Sequence, residues 1–145
     1  MPDAVITGAT GFVGSHLAGR LVRDGWRVTC PTRRTSAPTG DGRRWIQCDL
    51  NRSVDALPER VDVVIHLAAE TDPTLPVSHL VEINAAATGR MAEYAERAGA
   101  ASFVYASTGG VYGFSARPAR EADPTHPVNA YSATKLMGEQ VLSEF

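Results

Sequence analysis

Short apolar runs alternate with amphipathic stretches along the whole chain. Residues 4–7 are apolar and β-branched and break directly into glycines, which predicts a strand. Over residues 12–24, Val13, Leu17 and Leu21 recur at every fourth position, the spacing of one helical face, and Gly25 stands where a helix stop is expected. Residues 27–30 and 45–48 read as the second and third strands. The polar stretch between them, residues 33–44, holds Pro38, Gly40 and Gly42 and reads as a loop. Residues 62–67 are nearly all apolar, as suits a strand covered on both faces. A long helix is predicted over residues 78–98, with Leu80, Ile83, Ala87, Met91 and Tyr94 on one stripe and Gly99 at its end. Residues 102–107 form the fifth predicted strand. Residues 118–127 carry three prolines and read as a turn-rich loop, and a last helix starts near Asn129 and is still running at Phe145.

This alternation predicts an α/β fold: a doubly wound parallel sheet of about five strands with helices on both faces. A chain of 145 residues is about one domain. Fourteen Lys and Arg against sixteen Asp and Glu give a net charge of −2, which offers no basic footprint for nucleic acid and no polybasic patch for a membrane. No apolar run approaches the ~18 residues of a membrane span, and Met1-Pro2-Asp3 does not begin a signal peptide. Cys30 and Cys48 are too few for a disulfide scaffold and are expected as reduced thiols in a cytoplasmic protein. His16, His66, His79 and His126 show no ligand spacing with each other or with the cysteines, so no metal site is expected. His66 reads as a neutral core histidine, and Trp26 and Trp45 as packing residues.

Candidate chemistry begins between the first strand and the first helix, at Thr7-Gly8-Ala9-Thr10-Gly11-Phe12-Val13-Gly14. A glycine-rich turn after a strand and before a helix is where a phosphate-binding turn belongs. Gly8 permits the tight turn, Gly11 lets the backbone approach a pyrophosphate, and Gly14 lets the helix pack on the sheet. The helix start then offers free N–H groups and a partial positive charge. Farther along, Tyr131 and Lys135 are four residues apart on a predicted helix and share a face. A cation there favours the phenolate, and a phenol so placed takes a proton from a hydroxyl or returns it to a carbonyl.

The G-x-x-G-x-x-G spacing with its flanking threonine resembles the short-chain dehydrogenase/reductase superfamily. Within it, T-G-A-T-G-F-V-G is similar to the extended branch, the NAD(P)-dependent nucleotide-sugar epimerase/dehydratase family. Further motifs follow in that family's order. Asp49-Leu50, after the third strand, resembles the site that contacts the adenine ring. D-V-V-I-H-L-A-A at residues 62–69 resembles a fourth-strand motif whose small residues lie along the cofactor. Asn84 lies where the family has a helix asparagine. F-V-Y-A-S-T-G-G-V-Y-G at residues 103–113 resembles the fifth strand and active-site turn, and Y-S-A-T-K at residues 131–135 matches Y-x-x-x-K. The resemblance covers essentially the whole chain.

It implies a Rossmann-type fold and cofactor contacts from Gly8, Thr10, Gly11, Phe12, Val13 and Gly14 in the first turn. Asp49, Leu50, Leu67, Ala68, Ala69 and Asn84 add to them, as do Tyr131 and Lys135. It makes Thr108, one residue after Ser107, the catalytic hydroxyl beside Tyr131 and Lys135. Gly109-Gly110 stand where sugar 4,6-dehydratases carry an Asp-Glu pair, which weakens that reading and leaves epimerase, reductase and dehydrogenase. Thr32 stands about where an NAD-binding acid would be, and Arg33 and Arg34 follow, which favours NADP over NAD. The implied activity is hydride transfer between nicotinamide and a sugar-nucleotide-like hydroxyl or ketone. Family members continue into further strands and a substrate domain. Residues 1–145 are therefore expected to be a dinucleotide-binding domain truncated before those parts, with its fifth strand left as an open edge. A homodimer through the helices at 78–98 and 129–145 is a further implication. A non-catalytic dinucleotide-binding regulatory module and an inactive fragment of the enzyme stand as alternatives.

Overall fold

A computed structural model describes residues 1–35, 40–72 and 74–145. They form two compact units, Met1–Ala69 with Arg90–Ala106, and Glu70–Gly89 with Ser107–Phe145. The first unit holds β1 (Asp3–Thr7), β2 (Arg27–Thr32), β3 (Arg44–Gln47), β4 (Val63–His66) and β5 (Ser102–Tyr105). They make one five-stranded sheet in the order β3-β2-β1-β4-β5, with every pair parallel. The chain thus works outward from β1 to β3, returns to the middle, and works outward again through β4 and β5. That reversal between β1 and β4 is the doubly wound, Rossmann-type topology expected from the strand–helix alternation.

Strand side chains alternate between two cores. Val5 and Val64 join Met91, Tyr94, Ala95 and Ala98 on one face, the first three of those from α3 (Ala87–Arg97). Ala4, Ile6, Val28, Cys30 and Ile65 join Ala18 of α1 (Phe12–Arg23) on the other. Covering both faces explains why residues 62–67 are apolar without alternation. Cys30 and Cys48 are both buried free thiols and belong to opposite cores, so they do not pair.

Several local details depart from the sequence pattern. Val13 is exposed, although its four-residue spacing puts it on the apolar stripe of α1. The helix instead approaches the sheet through its smallest residues, Gly14 and Ala18, which turns Val13 to the flank. Pro31 lies inside β2, although its missing N–H argues against an interior strand position. The registered pairing with β1 stops two residues earlier, at Val5–Thr29, while pairing with β3 continues. Of the predicted loop at residues 33–44, Gly40 and Gly42 turn with positive φ, and Pro38 lies outside the described residues.

The second unit carries the larger surprise. The helix predicted over residues 78–98 is α2 (Val77–Val81), then a π-helical turn at Glu82–Ala86, then α3, of which residues 87–89 belong here. α4 spans Ala130–Leu142 and packs on α2, on the π turn and on a 3₁₀ turn at Gly109–Tyr112. It starts where expected because the Asn129 side chain accepts a hydrogen bond from the Ser132 amide at 2.8 Å. It does not run on to Phe145: it closes at Leu142, and the amide and hydroxyl of Ser143 turn back onto carbonyls of the last turn. Among the described residues, no helix is long and apolar enough to cross a membrane.

Candidate active site

In the first unit, β1 runs straight into the glycine turn. Gly8 has φ of +69°, and a Cβ there would meet the backbone of Leu67 and Ala68 at 2.8 Å. The turn after β1 and the turn after β4 therefore touch backbone to backbone, a contact that only glycine permits. A Cβ on Gly14 would collide with the Gly8 carbonyl oxygen and lie 2.8 Å from the Ala9 Cα, so this glycine seats α1 against the turn. Gly11 is the α1 N-cap, with no side-chain cap and no acid in the first turn of the helix. Ser15 makes the first helical bond, to the Gly11 carbonyl at 2.9 Å. The amides of Phe12, Val13 and Gly14 precede it and have no helical acceptor. Phe12 and Thr10 are exposed. This is a cradle of backbone donors at a positive helix end, and a diphosphate fits its chemistry.

Thr7, the last residue of β1, ties the two turns together. Its hydroxyl accepts from the amides of Leu67 and Ala68, each at 3.1 Å, which uses both lone pairs. The O–H proton is left for His66 Nδ1, 2.7 Å away. The bonding pattern therefore assigns His66 as a neutral imidazole protonated on Nε2. It is fully buried and stacks on Tyr105, with ring centroids 5.9 Å apart. The core-histidine expectation holds, and the imidazole orients the Thr7 hydroxyl that holds Leu67 and Ala68; Ala69 follows, exposed.

At the end of β2, Thr32 is buried and its hydroxyl accepts from the Arg34 amide at 3.2 Å. Arg33 and Arg34 are exposed. Arg43 is engaged by the fold: it donates to the Ser15 carbonyl at 3.1 Å and lies over Trp45. Asp49 caps its own turn by accepting from the Asn51 amide at 3.1 Å, and the Leu50 carbonyl accepts from Arg90 at 2.8 Å.

The second unit gathers Asn84, Thr108, Tyr131 and Lys135. Tyr131 is half-buried, and Lys135, one turn later on α4, is 1% exposed. Burial pulls the Lys135 ammonium down to about 8, against an opposing pull from Glu139, one further turn along. Thr108 caps the 3₁₀ turn, its hydroxyl accepting from the Gly110 amide at 3.2 Å, which leaves its O–H as a donor. Gly110 lies against Ser132, where any Cβ would collide, and so brings that turn onto α4. The Ser107 hydroxyl instead donates to the Glu139 carboxylate. Asn84 is fully buried in the π turn. Its Oδ1 accepts from the Glu70 amide at 2.8 Å, and its Nδ2 donates to the Glu70 carbonyl at 2.9 Å and to Thr134 at 3.0 Å.

The profile of the NAD dependent epimerase/dehydratase family matches residues 4–145. The chain belongs to this family. Among curated members, it is 34% identical over 164 aligned residues to a UDP-glucose 4-epimerase of Mycolicibacterium smegmatis, covering 97% of this chain and 50% of that protein. It is 39% identical over 145 residues to a dTDP-4-dehydrorhamnose reductase of Burkholderia thailandensis, covering 97% of this chain and 45% of that protein. Its fold superposes on MoeE5, solved in complex with UDP-glucuronic acid and NAD, with a TM-score of 0.85 and 35% identity, over 96% of this chain and 48% of that one. The chain spans about half the length of the relatives it matches.

Within this NAD-dependent epimerase/dehydratase frame, each unit holds a distinct share of the expected residues. The glycine turn, Arg33, Asp49, Leu50 and Leu67 to Ala69 lie in the first, and Asn84, Thr108, Tyr131 and Lys135 in the second. Sequence reasoning missed Thr7 as the tie to the β4 turn, Thr134 as the partner of Asn84, and Glu139 as the charge beside Lys135. Only Glu139 left a readable trace, its spacing of four from Lys135. Lys135 is also the only lysine in the chain, a fact the composition contained.

Proposed function

We propose that residues 1–145 form the dinucleotide-binding and proton-handling part of an epimerase or reductase that acts on a sugar-nucleotide-like hydroxyl or ketone. The observation that carries this reading is the burial of Lys135 one helical turn from Tyr131. A lysine on an outer helix face would be solvated, and burying one costs free energy unless its charge is used.

Tyr131 takes the proton of the substrate hydroxyl in one direction and returns it to the carbonyl oxygen in the other. Lys135 supports the phenolate and donates to a ribose hydroxyl of the nucleotide. Thr108 donates to the reacting oxygen. It suits that task better than Ser107, because the Ser107 proton is committed to Glu139. The amides of Phe12, Val13 and Gly14 receive the diphosphate, Asp49 and Leu50 the adenine end, and Leu67, Ala68 and Ala69 line the dinucleotide. Asn84 acts as a support through Glu70 and Thr134. NAD or NADP, when bound, supplies the hydride acceptor and donor. NADP is favoured by the exposed Arg33 and Arg34 and by the absence of a carboxylate at Thr32.

The test is Tyr131→Phe, assayed with UDP-glucose and with a dTDP-4-keto sugar, each with NAD and NADP. Expected is a loss of about 10²–10⁴-fold in turnover with nucleotide binding intact. Binding is read as thermal stabilisation, about 2.7 kcal/mol at a hundred times Kd. An unstabilised protein with both nucleotides sinks the cofactor reading. Stabilisation without turnover in the wild type leaves the two alternatives, a regulatory dinucleotide-binding module or an inactive fragment of the enzyme.

A further inference from the structure

We infer that Glu139, held by the Ser107 hydroxyl, is the counter-charge that keeps Lys135 an ammonium, and is thus a positioning residue for the Tyr131–Lys135 pair. The inference rests on the reading of that pair as the proton-handling site. Tyr131, Lys135 and Glu139 follow one another at single-turn intervals on α4, so they form one stripe on its surface. The middle member is fully buried and the outer two are half-buried. An ammonium in that position loses its water, and only a fixed opposite charge offsets the loss. A free glutamate side chain would sample many rotamers. This one is anchored, because Ser107 donates to Oε1.

Other titratable groups stand on the elements packed against α4. His79 of α2 and Glu82 of the π turn are exposed, and Tyr112 of the 3₁₀ turn is half-buried. Glu139 is the charged group whose field opposes the burial of Lys135. Ser107 and Thr108, adjacent in sequence, thereby have separate tasks. One steers the carboxylate behind the lysine, and the other faces its hydroxyl proton toward the reacting oxygen.

Because Lys135 is the only lysine, a protein labelled with ¹³C-lysine gives a single side-chain signal whose midpoint is read directly by NMR titration. Glu139→Gln keeps an acceptor for Ser107 and removes only the charge. It should lower the midpoint by about one unit or more, tenfold in proton affinity. Ser107→Ala should lower it by less, and Glu139→Asp should recover most of the loss. An unchanged midpoint in folded Glu139→Gln overturns the inference. If that variant does not fold, unchanged midpoints in Ser107→Ala and Glu139→Asp overturn it equally. A purely structural Glu139 would alter the melting temperature and leave the titration in place. The titration needs no turnover, so it separates the two readings. A shifted midpoint beside a fully active Tyr131→Phe would keep the counter-charge and discard the catalytic role, and the reverse pair of results would do the opposite.

Discussion

A methyl group at Gly11 would meet only the Gly8 carbonyl oxygen, at 3.3 Å, and its φ of −83° is one that alanine adopts. At Gly14 the same methyl would collide with the backbone of Gly8 and Ala9. On the proposed reading, these two glycines separate ligand binding from folding. Gly11→Ala should stay within about 1 kcal/mol of wild-type stability and still weaken NADP or NAD binding about tenfold or more, since the methyl occupies the approach of the diphosphate. Gly14→Ala should lose about 1–3 kcal/mol through overpacking. Urea unfolding read beside a nucleotide titration distinguishes them, and a Gly11→Ala protein that binds like wild type would place the diphosphate elsewhere. The glycines could be assigned from their order in the motif. What Lys135 does could not, because Tyr-x-x-x-Lys is the same string whether its lysine is solvated or buried.

The π turn belongs to the scale of the element. A π turn holds one more residue than an α turn and shifts the phase of everything after it. The apolar stripe at Leu80, Ile83, Ala87, Met91 and Tyr94 fits an α-helix well enough to hide it. What keeps the turn is Asn84, buried with its amide engaged on both sides, and Thr88, whose hydroxyl donates to the Asn84 carbonyl at 2.9 Å. Asn84→Ala should cost roughly 2–4 kcal/mol, since it leaves buried backbone groups of Glu70 without partners. Thr134→Val should cost about 1 kcal/mol. The double variant should lose less than the sum, because both remove one shared bond. Additive unfolding midpoints would show that the Asn84–Thr134 bond carries no coupling.

For the whole molecule, the buried groups set how stability responds to pH. Lys135 titrates near 10.5 in the unfolded chain and near 8 when folded. Between those values the unfolded chain holds the proton that the folded one has released, so stability rises with pH across that window. Cys30 acts in the other direction: burial pushes its thiol from 9.0 up to about 12, so above 9 the unfolded chain releases a proton first and stability falls. The climb should therefore be clear from pH 8 to 9 and flatten above. Replacing Lys135 by Met should abolish the climb, and Cys30→Ala should extend it. A wild-type melting curve that does not move between pH 8 and 9 would contradict the buried ammonium.

The linear pattern alone determined the strand–helix alternation, the parallel sheet and the placing of the glycine turn. Each of these depends on neighbours within a few residues: the period of apolar positions, a β-branched run, a glycine directly after a strand. The tertiary structure alone decided that Lys135 is buried, that the Ser107 and Thr108 hydroxyls take different partners, that Thr7 holds the β4 turn, and that Asn84 supports the backbone. Those outcomes depend on which surfaces meet across long sequence separations. Burial, desolvation and hydrogen-bond partnership arise only when such surfaces come together, so no local string of residues encodes them.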